Sequence, residues 1–182
     1  MDGNNQEQIK QMKKKGKAFA DQIRTSNLSH SKSWHALKTT IMKTMEYPME
    51  AINLKKHEWD NIMTPILQCA LPKSGIVRTF PRTMLYSPLS YSGLGIMHPY
   101  YLQHIKHLHV CMEQTVNSNI THNLLDSNVE QLRLDLGIDS SSGNWHFPQA
   151  SHYLTPCWMN DLFHFCSDHN ICLKDNCTPL TL

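Results

Sequence analysis

The sequence predicts a mostly α-helical chain: a helical bundle, then a loosely attached helical region, with at most a short β-hairpin near residues 76–86. Three observations predict it. Apolar residues recur at i, i+3, i+4 and i+7 through several windows, the period of a helix with one buried face. A block of prolines and glycines between Pro72 and Gly95 separates two long helical patterns. Ser, Thr and Pro stand where those patterns start and stop, as caps and terminators. No internal repeat is present.

In chain order, residues 5–25 form a helix on a thin stripe of Ile9, Met12, Ala20 and Ile23 among polar residues. Lys13, Lys14, Lys15 and Lys17 surround Gly16, which weakens the helix by ~1 kcal/mol relative to alanine. So narrow a stripe is marginal without a partner surface. Residues 31–47 form a stronger helix. Trp34, Leu37, Ile41 and Met45 face inward, Ser29 or Ser31 caps it, and Pro48 ends it, because the residue before proline avoids the α region.

Residues 54–71 carry the most regular face: Trp59, Ile62, Met63, Ile66, Leu67, Ala70 and Leu71, with Cys69 as a small buried hydrophobe. Pro65 removes one backbone donor, which leaves either one kinked helix or two helices, the second opening at Thr64-Pro65. Pro72 ends it. Residues 72–98 are irregular, with a short strand pair at Ile76-Val77 and Met84-Leu85-Tyr86. Gly93 and Gly95 mark positive φ or close backbone approach.

Residues 99–116 are helical, with Tyr101, Ile105, Leu108, Met112 and Val116 on one side. Residues 121–136 follow, with Leu125, Val129, Leu132 and Leu136 inward and Gly137 as C-cap. Residues 139–144 are a loop. Thr155-Pro156 opens a helix whose Trp158, Met159, Leu162, Phe163 and Cys166 share a face. The segment from Cys172 to Leu182 has no period. The organisation read from this is a basic N-terminal helix (1–27), a helical region with a Pro/Gly-rich connector (28–98), a second helical region (99–138), and a linker, helix and tail (139–182).

The net charge of +2 conceals an asymmetry. Residues 1–83 hold 14 Lys and Arg against 7 Asp and Glu, and residues 84–182 hold 3 against 8. A basic half beside an acidic half points to a polyanion partner for the first, or to lysines that cover solvated helix faces. Lys13, Lys14, Lys15, Lys17, Lys73, Arg78 and Arg82 are the candidate phosphate contacts, since cations neutralise phosphates without demanding a particular spacing. Arg78 and Arg82 flank Pro81 and either clamp a phosphate in bidentate fashion or pair inside the fold. Trp34 and Trp59 lie on apolar stripes and read as core, not as base-stacking platforms.

Catalytic chemistry is not indicated. Two-metal nucleotidyl transfer needs carboxylates held a few Å apart, and the sequence has no Asp-Asp pair. Gly93-Leu94-Gly95 lacks the lysine and helix start of a phosphate loop, and no serine sits in a nucleophile elbow. His104, His107 and Cys111 share a helix face, and His164, Cys166, His169, Cys172 and Cys177 crowd the C-terminal segment. Their spacing matches no zinc-finger order, and 12 histidines make chance clusters common, so no cofactor is assigned. No apolar run approaches the ~20 residues of a membrane span, and the polar start lacks a signal-peptide stretch. The expectation is a soluble, intracellular protein with reduced thiols.

Several segments occur in a particular order: Lys17-Ala18-Phe19-Ala20; Ser33-Trp34-His35-Ala36-Leu37 with Glu46-Tyr47-Pro48; Trp59 through Leu67; Leu71-Pro72-Lys73-Ser74-Gly75 with Arg78 and Pro81-Arg82; Tyr91-Ser92-Gly93-Leu94-Gly95-Ile96; Leu132-Arg133-Leu134-Asp135-Leu136-Gly137; and Trp158-Met159-Asn160-Asp161-Leu162. In order and spacing they resemble the region immediately after the palm in reverse transcriptase polypeptides of LINE-like retrotransposons, over about residues 2–171. The resemblance implies a helical thumb, which grips the template–primer duplex, followed by a helical connection region. The fingers and the palm with its aspartates have no counterpart here. What carries over is sequence-independent binding of nucleic acid, as duplex or RNA/DNA hybrid, by a non-catalytic fragment. The alternative is a structural or protein-interaction fragment whose apolar stripes dock on the missing reverse transcriptase domains.

Overall fold

In a computed structural model of the chain, residues 5–116, 120–137 and 157–171 are described. They are mostly helical, and no strand occurs among them. The chain divides into two compact units, residues 1–103 and 104–182.

The first unit is built on three long helical segments. Helix α1 spans Gln6–Thr25. A second segment runs from α2 (His30–Ala36) through a π-helical stretch (Leu37–Ile41) and α3 (Met42–Glu46) to a 3-10 turn (Tyr47–Glu50). The α-helix thus ends at Glu46, just ahead of Pro48 as expected, and the chain continues as a 3-10 turn with Pro48 near its start, where a missing N–H costs nothing. Helix α4 spans Lys56–Lys73. Pro65 lies inside it, and the helix continues as one element, with the Thr64 hydroxyl donating to the Asp60 carbonyl at 2.7 Å. At its start the Glu58 carboxylate accepts the Lys55 N–H at 2.8 Å.

Contacts along the pair show that α1 and α4 run parallel. Asn5 donates to the Asn53 carbonyl ahead of α4, Gly16 lies against Ile66, Arg24 meets Cys69, and Lys73 meets Ser26. The intervening segment returns antiparallel, with His30 beside Gly75 and Met45 beside Gly16. An up–down–up arrangement buries one face of each helix, and α1 supplies Met12, Gly16, Phe19, Ala20 and Ile23. Gly16 is a contact point: a Cβ there would stand 2.9 Å from Ile66 Cδ1. The residue that lowers helix propensity is the one that lets the two helices close. Leu37, Ile41, Met45, Met49, Trp59, Ile62, Met63, Ile66, Leu67, Ala70 and Leu71 join them in the core, with Leu85 and Ile96 from the connector. Cys69 is not among them; it is half-buried, turned towards Arg24.

The expected strand pair does not form. Ile76 donates to the Leu71 carbonyl in the C-terminal turn of α4, Val77–Phe80 make a turn, and Arg82–Tyr86 are a short helix, α5. The chain then folds on itself. Gly93 N–H donates to the Pro88 carbonyl, Gly95 N–H to the Ser87 carbonyl, and Leu94 N–H to the Met84 carbonyl. A Cβ on Gly93 would lie 2.1 Å from the Ser87 carbonyl oxygen, so only glycine fits.

Helix α6 spans Pro99–Val116, and its first residues belong to the first unit. Gln103 is fully buried there. Its Oε1 accepts the Leu54 N–H at 3.0 Å and the Trp59 indole N–H at 2.9 Å. Its Nε2 donates to the Leu54 carbonyl at 3.2 Å and to Asn53 Oδ1 at 3.3 Å. One amide thus satisfies both backbone groups of Leu54 and the indole of the fully buried Trp59.

In the second unit, α7 spans Ile120–Leu136 and α8 spans Trp158–Asp168. The rest of α6 turns His104 and His107 inward, while Ile105 is 45% exposed, so the buried side is one of histidines and not the aliphatic stripe expected. His104 stacks on Phe165 with centroids 4.2 Å apart, and His107 meets Trp158 edge-on at 5.3 Å. Met159, Leu162 and Cys166 are buried with Phe165, and Leu132 is buried on α7. Gly137 closes α7 with φ +65°. The loop at 139–144, the Thr155-Pro156 start and the tail from Cys172 lie outside the described residues.

Two stability measurements follow. Gln103→Met leaves the Leu54 and Trp59 groups buried without partners and is expected to cost on the order of 3 kcal/mol in denaturant unfolding. Gly16→Ala is expected to be near neutral, because ~1 kcal/mol of helix propensity offsets a small shift of the Ile66 methyl, whereas Gly16→Leu forces the helices apart and costs about 1–3 kcal/mol.

Candidate nucleic-acid interface

Helix α1 carries the basic cluster. Lys13, Lys14, Lys15 and Lys17 are all exposed. At about 100° per residue, with Gly16 and Ile23 pointing into the core, Lys13, Lys14 and Lys17 fall on one flank and Lys15 falls on the other. Lys10 and Arg24 share the flank of Lys13 and Lys17. The sequence reading omitted both, although the 3.6-residue period, applied to the basic residues as it was to the apolar ones, finds them. The stripe from Lys10 to Arg24 is about 21 Å long at 1.5 Å per residue. Its ends are partly compensated: Lys10 pairs with Glu7 at 2.6 Å and Arg24 stands 3.8 Å from Asp21. Both pairs are exposed and worth little in water. Among the described residues, Lys13, Lys14 and Lys17 between them have no ion pair.

The other candidates are placed differently. Lys73 ends α4 and donates from Nζ to the Ser26 carbonyl at 2.8 Å, tying α4 to the residue that follows α1. A cation is favoured there because both parallel helices present their negative ends. Arg24, Gln68, Cys69, Pro72 and Lys73 line an open depression of ≈ 310 Å³ at this end of the unit. In it Arg24 Nη2 approaches Cys69 Sγ at 3.3 Å, and that contact raises the arginine further above its ordinary range.

Arg78 is exposed on the Val77–Phe80 turn. Arg82 is half-buried in α5, and its Nη1 has no partner among the described residues. It lies near Tyr86, whose hydroxyl burial pushes up to about 12. Tyr86 in turn packs edge-on against His98, 4.6 Å away, which bonds Asp60 on α4. On α4, Asp60 is about 120–180° around the helix from Ile66, Cys69 and Lys73, the residues that meet α1. The structure therefore places Arg82 and the α1 stripe on opposite flanks of α4 and does not bring them into one groove.

Among the described residues no three His, Cys, Asp or Glu side chains are placed to hold a metal ion. His104 and His107 spend their ring faces on Phe165 and Trp158. Burial pushes the Cys111 and Cys166 thiols up to about 11, so they remain protonated at neutral pH. Cys172 and Cys177 lie outside the described residues. Among the described residues no helix is long and apolar enough to cross a membrane. No protein-family model, curated protein or solved structure matches this chain.

Proposed function

We propose that the chain binds the backbone of nucleic acid without sequence preference, through the lysine flank of α1, as a non-catalytic segment of the kind found after the palm of retroelement reverse transcriptases. The observation that carries this reading is the alignment of Lys10, Lys13, Lys14, Lys17 and Arg24 along one side of a helix whose opposite side is anchored in the core. Regularly spaced cations on a rigid rod neutralise successive phosphates and release condensed counterions. The absence of an Asp-Asp pair from the sequence supports a grip without polymerisation. Arg78, exposed on its turn, and the half-buried Arg82 offer a second, separate contact. The partner is a duplex or RNA/DNA hybrid, and the setting is intracellular.

Fluorescence anisotropy with a labelled duplex tests the reading. The full chain is expected to bind with log K falling by ~0.9 per log unit of salt for each phosphate neutralised. Replacing Lys13, Lys14 and Lys17 together by Glu is expected to weaken binding at least tenfold and flatten that slope by two to three phosphates' worth. Lys15→Glu, on the other flank, is expected to change affinity much less. Equal effects from both variants defeat the proposal.

A second reading, a protein-interaction segment with no nucleic-acid affinity, is supported by the exposed Val77, Leu89 and Tyr91 of the connector, 69%, 71% and 77% accessible. It predicts concentration-dependent self-association in size exclusion that Leu89→Ser with Tyr91→Ser abolishes, together with no measurable duplex binding.

A further inference from the structure

The first turn of α6 is capped by a side chain that can change its charge. The His98 carbonyl accepts the Leu102 N–H at 3.1 Å, and His98 Nδ1 accepts the Tyr100 N–H at 3.1 Å. His98 is thus the N-cap, Pro99 the first helical residue and Tyr100 the second. An amide N–H can only donate, so Nδ1 carries no proton. The ring proton therefore sits on Nε2, which donates to Asp60 Oδ1 at 3.1 Å. Both ring nitrogens are occupied and the residue is 4% exposed, which leaves no free atom for acid–base catalysis by this histidine–aspartate pair.

The groups that face the ring come from three elements. Helix α4 supplies Asp60 and, more distantly, the Lys56 charge. Helix α5 supplies Tyr86, edge-on at 4.6 Å, with Arg82 beyond it. Helix α6 supplies Tyr100 through its amide and Tyr101, edge-on at 5.8 Å.

We propose that His98 is an acid-sensitive latch: proton uptake at Nδ1 removes the cap of α6 and loosens the helix start from the loop that precedes α4. The imidazolium would turn a second N–H towards the Tyr100 N–H, where nothing remains to accept either. It would also set a positive charge at the positive end of a helix. Asp60 favours the charged ring, but its side chain is 55% exposed and its pull is weakened by solvent. Burial is the larger influence and holds His98 below the usual histidine range. The sign follows: the unfolded chain takes up the proton more readily, so the stabilisation is complete above about pH 6.5 and is lost as pH falls through the folded-state titration. Gln103 lies three residues past Tyr100, so the loss reaches the amide that holds Leu54 and Trp59.

Long-range proton–nitrogen NMR on the full chain follows the His98 ring between about pH 7.5 and pH 4.5, the span in which histidines titrate. Hydrogen exchange of the Tyr100 amide and the Trp59 indole, corrected for intrinsic pH dependence, is recorded alongside. The expected result is an Nε2–H ring at neutral pH and at least a tenfold loss of Tyr100 protection as the ring protonates, with the indole following. His98→Asn supplies a cap that does not titrate and is expected to keep Tyr100 protection constant. Asp60→Asn removes the carboxylate that favours the charged ring and is expected to move the loss to lower pH. A neutral ring with its proton on Nδ1, unchanged Tyr100 protection on protonation, or an unmoved loss in Asp60→Asn overturns the proposal.

Discussion

Where α1 crosses α4, the absence of a side chain at Gly16 lets Ile66 come within van der Waals distance of the α1 backbone. This closure decides most of what surrounds it. It orients α1 so that Met12, Phe19, Ala20 and Ile23 are buried. It therefore also decides which flank of the helix carries its charge into solvent. A helix with so thin an apolar stripe is marginal alone, and the packing surface of α4 supplies what propensity lacks. The parallel course of the two helices brings two negative helix ends together, and Lys73 and Arg24 answer that field locally.

A second constraint lies at the start of α6. Gln103 does there what a strand neighbour or a water does elsewhere, meeting a backbone donor, a backbone acceptor and an indole in a place closed to solvent. Its neighbour in function is His98, which caps the same helix and reaches back to Asp60. The start of α6 is thereby held by polar groups in a largely apolar setting. Such groups are worth most when all are satisfied and cost most when one is lost.

The basic residues divide into two kinds once packing is known. Lys73 works on the fold, and Arg24 stands between Asp21 and Cys69 at the rim of α4. Lys13, Lys14 and Lys17 stand clear of any ion pair among the described residues. Net charge cannot separate these kinds, because a cation that closes a helix end and one that waits for a phosphate contribute alike. Helical phase separates the α1 lysines, setting Lys15 apart, but says nothing of Lys73, whose partner is 47 residues away.

The periodicity of apolar residues by itself determined the helical class and most helix positions, since burying one face is a local requirement repeated every 3.6 residues. It placed Trp59, Ile62, Ile66 and Leu37 in the core and Gly137 at a helix end, all as found. It failed where a contact distant in sequence overrode local preference. The segment at 84–86 became helical as Leu85 entered the core. Gln103 is buried beside Leu54 and Trp59 in the first unit, and His104 and His107 are buried beside Phe165 and Trp158 in the second. The same limit applies to the candidate site. The sequence contains the lysine flank in full, because a single helix creates it. Only the tertiary structure separates Arg82 from that flank and turns His98 into a cap, because hydrogen bonds and close packing are made between residues that the chain order keeps apart.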